Sequence, residues 1–202
     1  MKTNYEKPAE KALRAFIAVS LADDIKAKLK AIQTRMKPLL NHHAIKWVQP
    51  DAIHITLKFL GNIQPADVDR IITALDNAIF TERFVLSFAD FGCFPSCAKP
   101  RVMWVGTESH PALNALHQTI EQRLTALDFT PEDKPFRPHL TLARVNEKAH
   151  FRCTPDEIHE AITIVRNIIH GTEMPVHSVH LFQSRLTSRG AIYSLLHDFK
   201  LK

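Results

Sequence analysis

Two short stretches of the chain carry the same pattern of reactive side chains. His54-Ile55-Thr56-Leu57 sets a histidine and a threonine two residues apart, with an aliphatic residue after each. His139-Leu140-Thr141-Leu142 repeats the pattern 85 residues later. An imidazole with an ordinary pKa of about 6.5 is available in both protonation states at neutral pH. One histidine can therefore take a proton while a second delivers one, which is the division of labour of general acid–base catalysis. A threonine hydroxyl beside each imidazole can donate a hydrogen bond to an oxygen on which charge develops.

The pattern acquires meaning only on an element that turns histidine and threonine the same way. On a β-strand side chains alternate between faces, so His54 shares a face with Thr56, and His139 with Thr141, while the aliphatics face the core. A third instance, His117-Gln118-Thr119, shows how cheap the bare pattern is. It falls in a helical stretch, where residues two apart point to nearly opposite sides, so it cannot form the same arrangement.

The elements around the two motifs read as follows. Residues 14–20 form a short apolar strand, and 23–40 an amphipathic helix with Ile25, Leu29, Ile32, Met36 and Leu39 on one stripe. A short strand over 45–48 and a turn at 49–51 lead into the first motif strand, 54–60, which stops at Gly61-Asn62. A helix over 65–80 follows, with Val68, Ile71, Ile72, Leu75 and Ile79 on its apolar stripe. Strands over 84–91 and 101–106 flank a loop at 92–100. The second half runs as a helix over 111–127, a proline-rich loop at 130–138, the second motif strand, a helix over 155–169, and strands over 176–184 and 191–196. Both motif strands are succeeded by a helix that begins at a proline, Pro65 or Pro155, and then by two strands.

This order predicts an α+β fold, a bilobal pseudo-two-fold repeat of antiparallel sheets. Helices cover the outer faces, and the uncovered faces meet in a central cleft. One bilobal domain over residues 1–202 is expected, opening with a polar leader at 1–13. The leader lacks the apolar centre of a signal peptide, and no apolar run is long enough to span a bilayer, so a cytoplasmic location with no membrane contact is the default. With 45% apolar and 23% charged residues the chain is not disordered as a whole. A net charge of +5 favours an anionic partner, nucleic acid among the candidates. The three cysteines, Cys93, Cys97 and Cys153, are odd in number and lack zinc-site spacing, so free thiols are expected.

The segments HITLKFLG (54–61) and FRPHLTLAR (136–144) resemble the paired signatures of the 2H phosphoesterase superfamily, and within it the RNA 2′,3′-cyclic phosphodiesterases, also described as 2′-5′ RNA ligase-like proteins. RAFIAVSL (14–21), FGCFPS (91–96), PRVMWVG (100–106) and LFQSRL (181–186) are similar to the same family's pattern, so the resemblance runs from Arg14 to Leu196. It implies metal-independent hydrolysis of a 2′,3′-cyclic phosphate to a terminal 2′-phosphate, with no cofactor. His54 would serve as general acid toward the leaving 3′-oxygen and His139 as general base on water. Thr56, Thr141 and Arg144 would hold the phosphate. Its partners would be RNA ends or nucleotides bearing the cyclic phosphate. No obligatory protein partner is implied, and a monomer suffices. Strict alternation turns Arg144 away from His139, so the strand must end or bulge near Ala143 if Arg144 is to reach the same site.

Ligation, the reverse reaction with an RNA hydroxyl in place of water, is chemically inseparable from hydrolysis at this level. An RNA-binding module without activity is a third reading, disfavoured by intact histidine and threonine in both motifs. Lys58 shares the alternation face of His54 and reads as an ordinary solvated lysine, with an approach to RNA as the alternative. Trp47, Trp104, Phe59 and Phe136 are either core residues or stacking platforms for a base. Arg137 is open between substrate contact and loop structure. His42, His43, His177 and His180 read as surface residues.

Overall fold

The computed structural model describes residues 12–78, 81–187 and 190–202. The chain opens with strand β1 (Leu13–Val19), buried from Ala15 to Val19. Helix α1 (Asp23–Leu39) buries Ile25, Leu29, Ile32 and Met36, the stripe its spacing predicts. Strand β2 (Ile45–Trp47) and a 3-10 turn (Pro50–Ala52) precede strand β3 (Ile55–Ile63). Helix α2 (Pro65–Asp76) starts on a capping box, in which Gln64 N–H donates to Asp67 Oδ2 at 2.9 Å. The helix ends at Asp76, short of the predicted end at Phe80, and the stripe position Ile79 lies outside the described residues.

Strands β4 (Phe84–Ser96) and β5 (Lys99–Thr107) form a long hairpin. The predicted loop over 92–100 is therefore mostly strand. Its glycine and prolines read as loop signals, but Gly92 serves close packing: a Cβ there would lie 2.2 Å from Cη2 of the Trp104 side chain. Helix α3 (Pro111–Thr125) leads through the proline-rich loop to strand β6 (His139–Val145). Helix α4 (Pro155–Ile168) follows, capped reciprocally by Thr154 and Glu157. Strands β7 (Glu173–Val176), β8 (Ser178–Thr187) and β9 (Gly190–Lys200) complete the chain. The stretch predicted as one strand over 176–184 is two, divided at His177, because β7 pairs with β4 and β8 with β1 and β9. Leu13 belongs to β1, so the predicted leader overruns the strand by one residue; residues 1–11 lie outside the described part.

Every strand pairing is antiparallel, in the order β7-β4-β5-β6-β3-β1-β8-β9, with β2 added beside β6. The two lobes join where β3 and β6 meet through one aligned pair, Ile55 with Leu140. About this join the repeat is β1-α1-β3-α2-β4 followed by β5-α3-β6-α4-β8. Its last strand is exchanged: β4 lies beside β5, and β8 beside β1. The lobes are therefore not the two halves of the sequence. The helices pack in exchanged pairs as well, α1 with α4 and α2 with α3.

Both motif strands carry a bulge at the corresponding residue. Along β1, Ile17 pairs with Lys58 and Ala18 with Thr56, passing over Leu57. Along β5, Met103 pairs with Ala143 and Trp104 with Thr141, passing over Leu142. One extra residue reverses the alternation that follows. Phe59 and Arg144 consequently turn to the side of the preceding threonine, and Lys58 and Ala143 turn to the core. The carbonyl of Leu142 is taken up by Val48 N–H and by the buried Gln33 side chain of α1, at 3.0 Å each. No helix among the described residues is long and apolar enough to cross a membrane.

Candidate active site

His54 stands between the 3-10 turn and β3, and His139 is the first residue of β6, so the join between the lobes brings the two motifs face to face. In each, the residue two positions earlier supplies a main-chain carbonyl to the ring. Nδ1 of His54 donates to Ala52 O at 3.0 Å, and Nδ1 of His139 to Arg137 O at 2.7 Å. A carbonyl only accepts, so Nδ1 holds the proton of the neutral ring and Nε2 is left for chemistry. This is the role of Arg137 that the structure makes visible, and it belongs to the backbone.

The walls of the two rings differ. Phe16 stacks on His54 at 4.6 Å between centroids and Tyr193 meets it edge-on at 5.2 Å. Phe94 meets His139 edge-on at 5.1 Å, with Trp104 at 6.1 Å. Burial among these rings disfavours the charged imidazolium and pulls the His54 pKa down to about 4. The bond to Ala52 opposes that fall, while Arg144 and His139 deepen it. His139 is lowered for the same leading reason, again with Arg144 contributing. Both imidazoles are neutral at pH 7 before an anion enters.

A cavity of about 570 Å³ is lined by His54, Thr56, His139, Thr141 and Arg144 together. The structure thus gathers all five residues singled out by the sequence. Arg144 arrives there because of the bulge at Leu142 that its predicted position required. Lys58 does not arrive. It is 1% exposed, and its ammonium is bound by Glu121 and by Thr130 O, so the bulge at Leu57 overturns both readings of Lys58, the solvated lysine and the approach to RNA. His180 is not a surface residue either. Its Nδ1 is 3.0 Å from Ser20 Oγ, and Asp198 lies 3.6 Å from its Nε2. Trp47 does not line this cavity.

Arg14, Phe16 and Tyr193 also line this cavity and Phe94 walls His139, and none of the four is marked as a site residue by the sequence pattern. Phe16 and Phe94 read as core and loop, and Arg14 as a strand start. Tyr193 had one weak signal, being one of two tyrosines in the chain. Among the described residues, no group of three His, Cys, Asp or Glu side chains is placed to hold a metal ion. Cys93, Cys97 and Cys153 are free thiols, and burial raises the first and the last, Cys153 to about 12.

A family model described as LigT like phosphoesterase matches residues 19–104 and again residues 105–193. The chain belongs to this family. The double match follows the repeat, with the second copy opening inside β5. An RNA 2′,3′-cyclic phosphodiesterase of Archaeoglobus fulgidus is 36% identical over 190 residues, covering 93% of this chain and 100% of the relative. The protein of the same name from Methanothermobacter thermautotrophicus is 31% identical over 94% of this chain and 99% of its own. Among solved structures, TT0787 of Thermus thermophilus superposes with a TM-score of 0.75 at 27% identity, covering 94% of this chain and 98% of that one. LigT of Escherichia coli, solved with 3′-AMP, gives a TM-score of 0.73 at 22% identity over 95% and 99%, a likeness of fold. The bilobal α+β architecture of the LigT like phosphoesterases is thus the architecture of this chain.

Proposed function

We propose that the protein opens 2′,3′-cyclic phosphates on RNA ends or nucleotides, without a metal, and leaves a terminal 2′-phosphate. One observation carries the reading: two imidazoles in the same tautomer, each held by a carbonyl two residues back, face one cavity with two threonine hydroxyls and an arginine. Relatives named RNA 2′,3′-cyclic phosphodiesterase support the choice of substrate.

In this scheme water attacks phosphorus in line with the 3′-oxygen. The new P–O bond forms as His139 Nε2 takes the water proton, and the P–O3′ bond breaks as His54 Nε2–H protonates the departing oxygen. Thr56, Thr141 and Arg144 hold the non-bridging oxygens as their charge grows. His54 must be protonated at that moment. The entering phosphate anion raises its pKa, since a negative charge beside a desolvated ring favours the imidazolium. The acid is thus loaded together with the substrate. Water at high concentration outcompetes an RNA hydroxyl, so hydrolysis exceeds ligation.

The test is product identity from a 2′,3′-cyclic nucleotide in excess EDTA. A 2′-phosphate is expected at an undiminished rate. A 3′-phosphate would reverse the leaving-group assignment, and inhibition relieved by an added metal would refute metal independence.

A further inference from the structure

A second cavity, of about 850 Å³, shares Thr56, Phe59, Val102 and His139 with the first and runs away along the loop before β6 and the tip of the β4–β5 hairpin. Phosphate chemistry needs none of it. Ligand pockets for a small molecule run from roughly 300 to 1,000 Å³, so the 570 Å³ cavity already suffices for one reacting nucleotide.

The lining of the groove is selective. Lys99, Lys134 and Arg137 are exposed along it and have no ion-pair partner among the described residues, whereas Glu147 is neutralised by Arg101 at 3.2 Å. That leaves three cations against Glu132. Flat rings stand between the charges. Phe136 lies on His117 at 4.0 Å and 9° between planes, and Phe59 is 54% exposed at the mouth, where the bulge at Leu57 turned it. Phe59 lines both cavities and presents an open ring face to them, on which a base can stack. Cations that track a backbone and rings that accept any base are the elements of a single-stranded nucleic-acid groove.

We infer that this groove seats one or more RNA nucleotides beyond the reacting one, with Phe59 and the Phe136–His117 pair stacking bases and Lys99, Lys134 and Arg137 taking phosphates. The inference rests on the proposed reaction for what lies next door, but the groove and its lining stand apart from it. The nucleotides can come from the substrate's own strand or from a second strand whose end enters beside His139.

The experiment compares the enzyme with a Lys99→Ala/Lys134→Ala variant in two arms. In the first, kcat/KM is measured for a cyclic mononucleotide and for a pentanucleotide ending in the same cyclic phosphate. If the substrate's own strand fills the groove, the pentanucleotide is preferred about tenfold, and the variant loses that preference while opening the mononucleotide within about twofold of wild type. In the second, a 5′-hydroxyl pentanucleotide is added to the mononucleotide reaction. If a second strand fills the groove, it slows opening in the wild type and not in the variant. An unaltered response of the variant in both arms overturns the inference. If the wild type opens neither cyclic phosphate, the proposed reaction has failed and binding decides the groove. Fluorescence anisotropy of a labelled pentanucleotide must then weaken about tenfold in the variant, and equal binding overturns the proposal.

Discussion

Lys58 Nζ lies 2.8 Å from Glu121 Oε1 and 2.9 Å from Oε2, so a lysine four residues past His54 is spent on holding α3 against β3. A third bond, to Thr130 O at 3.0 Å, ties down the start of the loop that ends at His139. Glu121 stands ten residues past the start of α3, as Gln33 stands ten past the start of α1, and both reach the motif strand that the other repeat contributes.

Removing Lys58 leaves the largely buried Glu121 carboxylate, 16% exposed, without its cation. Lys58→Met should cost about 3 kcal/mol, read as a lowered urea midpoint. The double variant Lys58→Met/Glu121→Leu should recover much of the loss. A double variant no more stable than Lys58→Met would show that packing, and not the stranded carboxylate, sets the cost.

His54→Ala and His139→Ala should each lower kcat on a 2′,3′-cyclic nucleotide by about 10²-fold or more, with the circular dichroism spectrum unchanged. Either variant hydrolysing near the wild-type rate would remove that histidine from the proposed mechanism.

The depressed His54 pKa has a consequence for stability. The unfolded ring takes up a proton near pH 6.5 but the folded ring only at about 4, so this contribution is complete above pH 6.5 and is lost as the pH falls from there through 4. The loss from this one residue is about 3 kcal/mol over that window. His139, His117 and His180 are lowered too and add in the same direction. Urea midpoints at pH 7.5 and 4.5 should differ less in His54→Gln than in the wild type. Equal differences would show that His54 is not among the groups responsible.

Gly92→Ala drives a methyl into the Trp104 ring, which stands beside His139. A shift of the indole should destabilise the protein by about 1–3 kcal/mol, change the tryptophan emission and reduce kcat. An unchanged emission spectrum would mean that β4 yields instead of the ring.

Arg144→Ala removes a cation that lowers both imidazoles and faces the cavity. Weaker phosphate inhibition and a kcat/KM lower by about tenfold or more are expected. Arg144→Lys should recover only part of it, since an ammonium cannot bind two oxygens in one plane. Full recovery would reduce the contact to simple charge.

The local pattern of residues determined a good deal. Period-two alternation in 54–57 and 139–142 set which side chains share a face, and three- and four-residue spacing placed Leu29, Ile32 and Met36 toward the core. Those are properties of single segments, written in a few neighbouring residues. The bulges at Leu57 and Leu142 are not, because a bulge exists only relative to the strand beside it, and β1 and β5 decide it. For the same reason the sequence could state that Arg144 needed the strand to end or bulge near Ala143 without choosing between the two, and could not show Lys58 turning inward. The exchange of β4 and β8 between lobes is further still from the local pattern, since it is settled by which apolar faces cover each other across the whole sheet. The two motifs were legible early, and the cavity that joins them is the work of the tertiary structure.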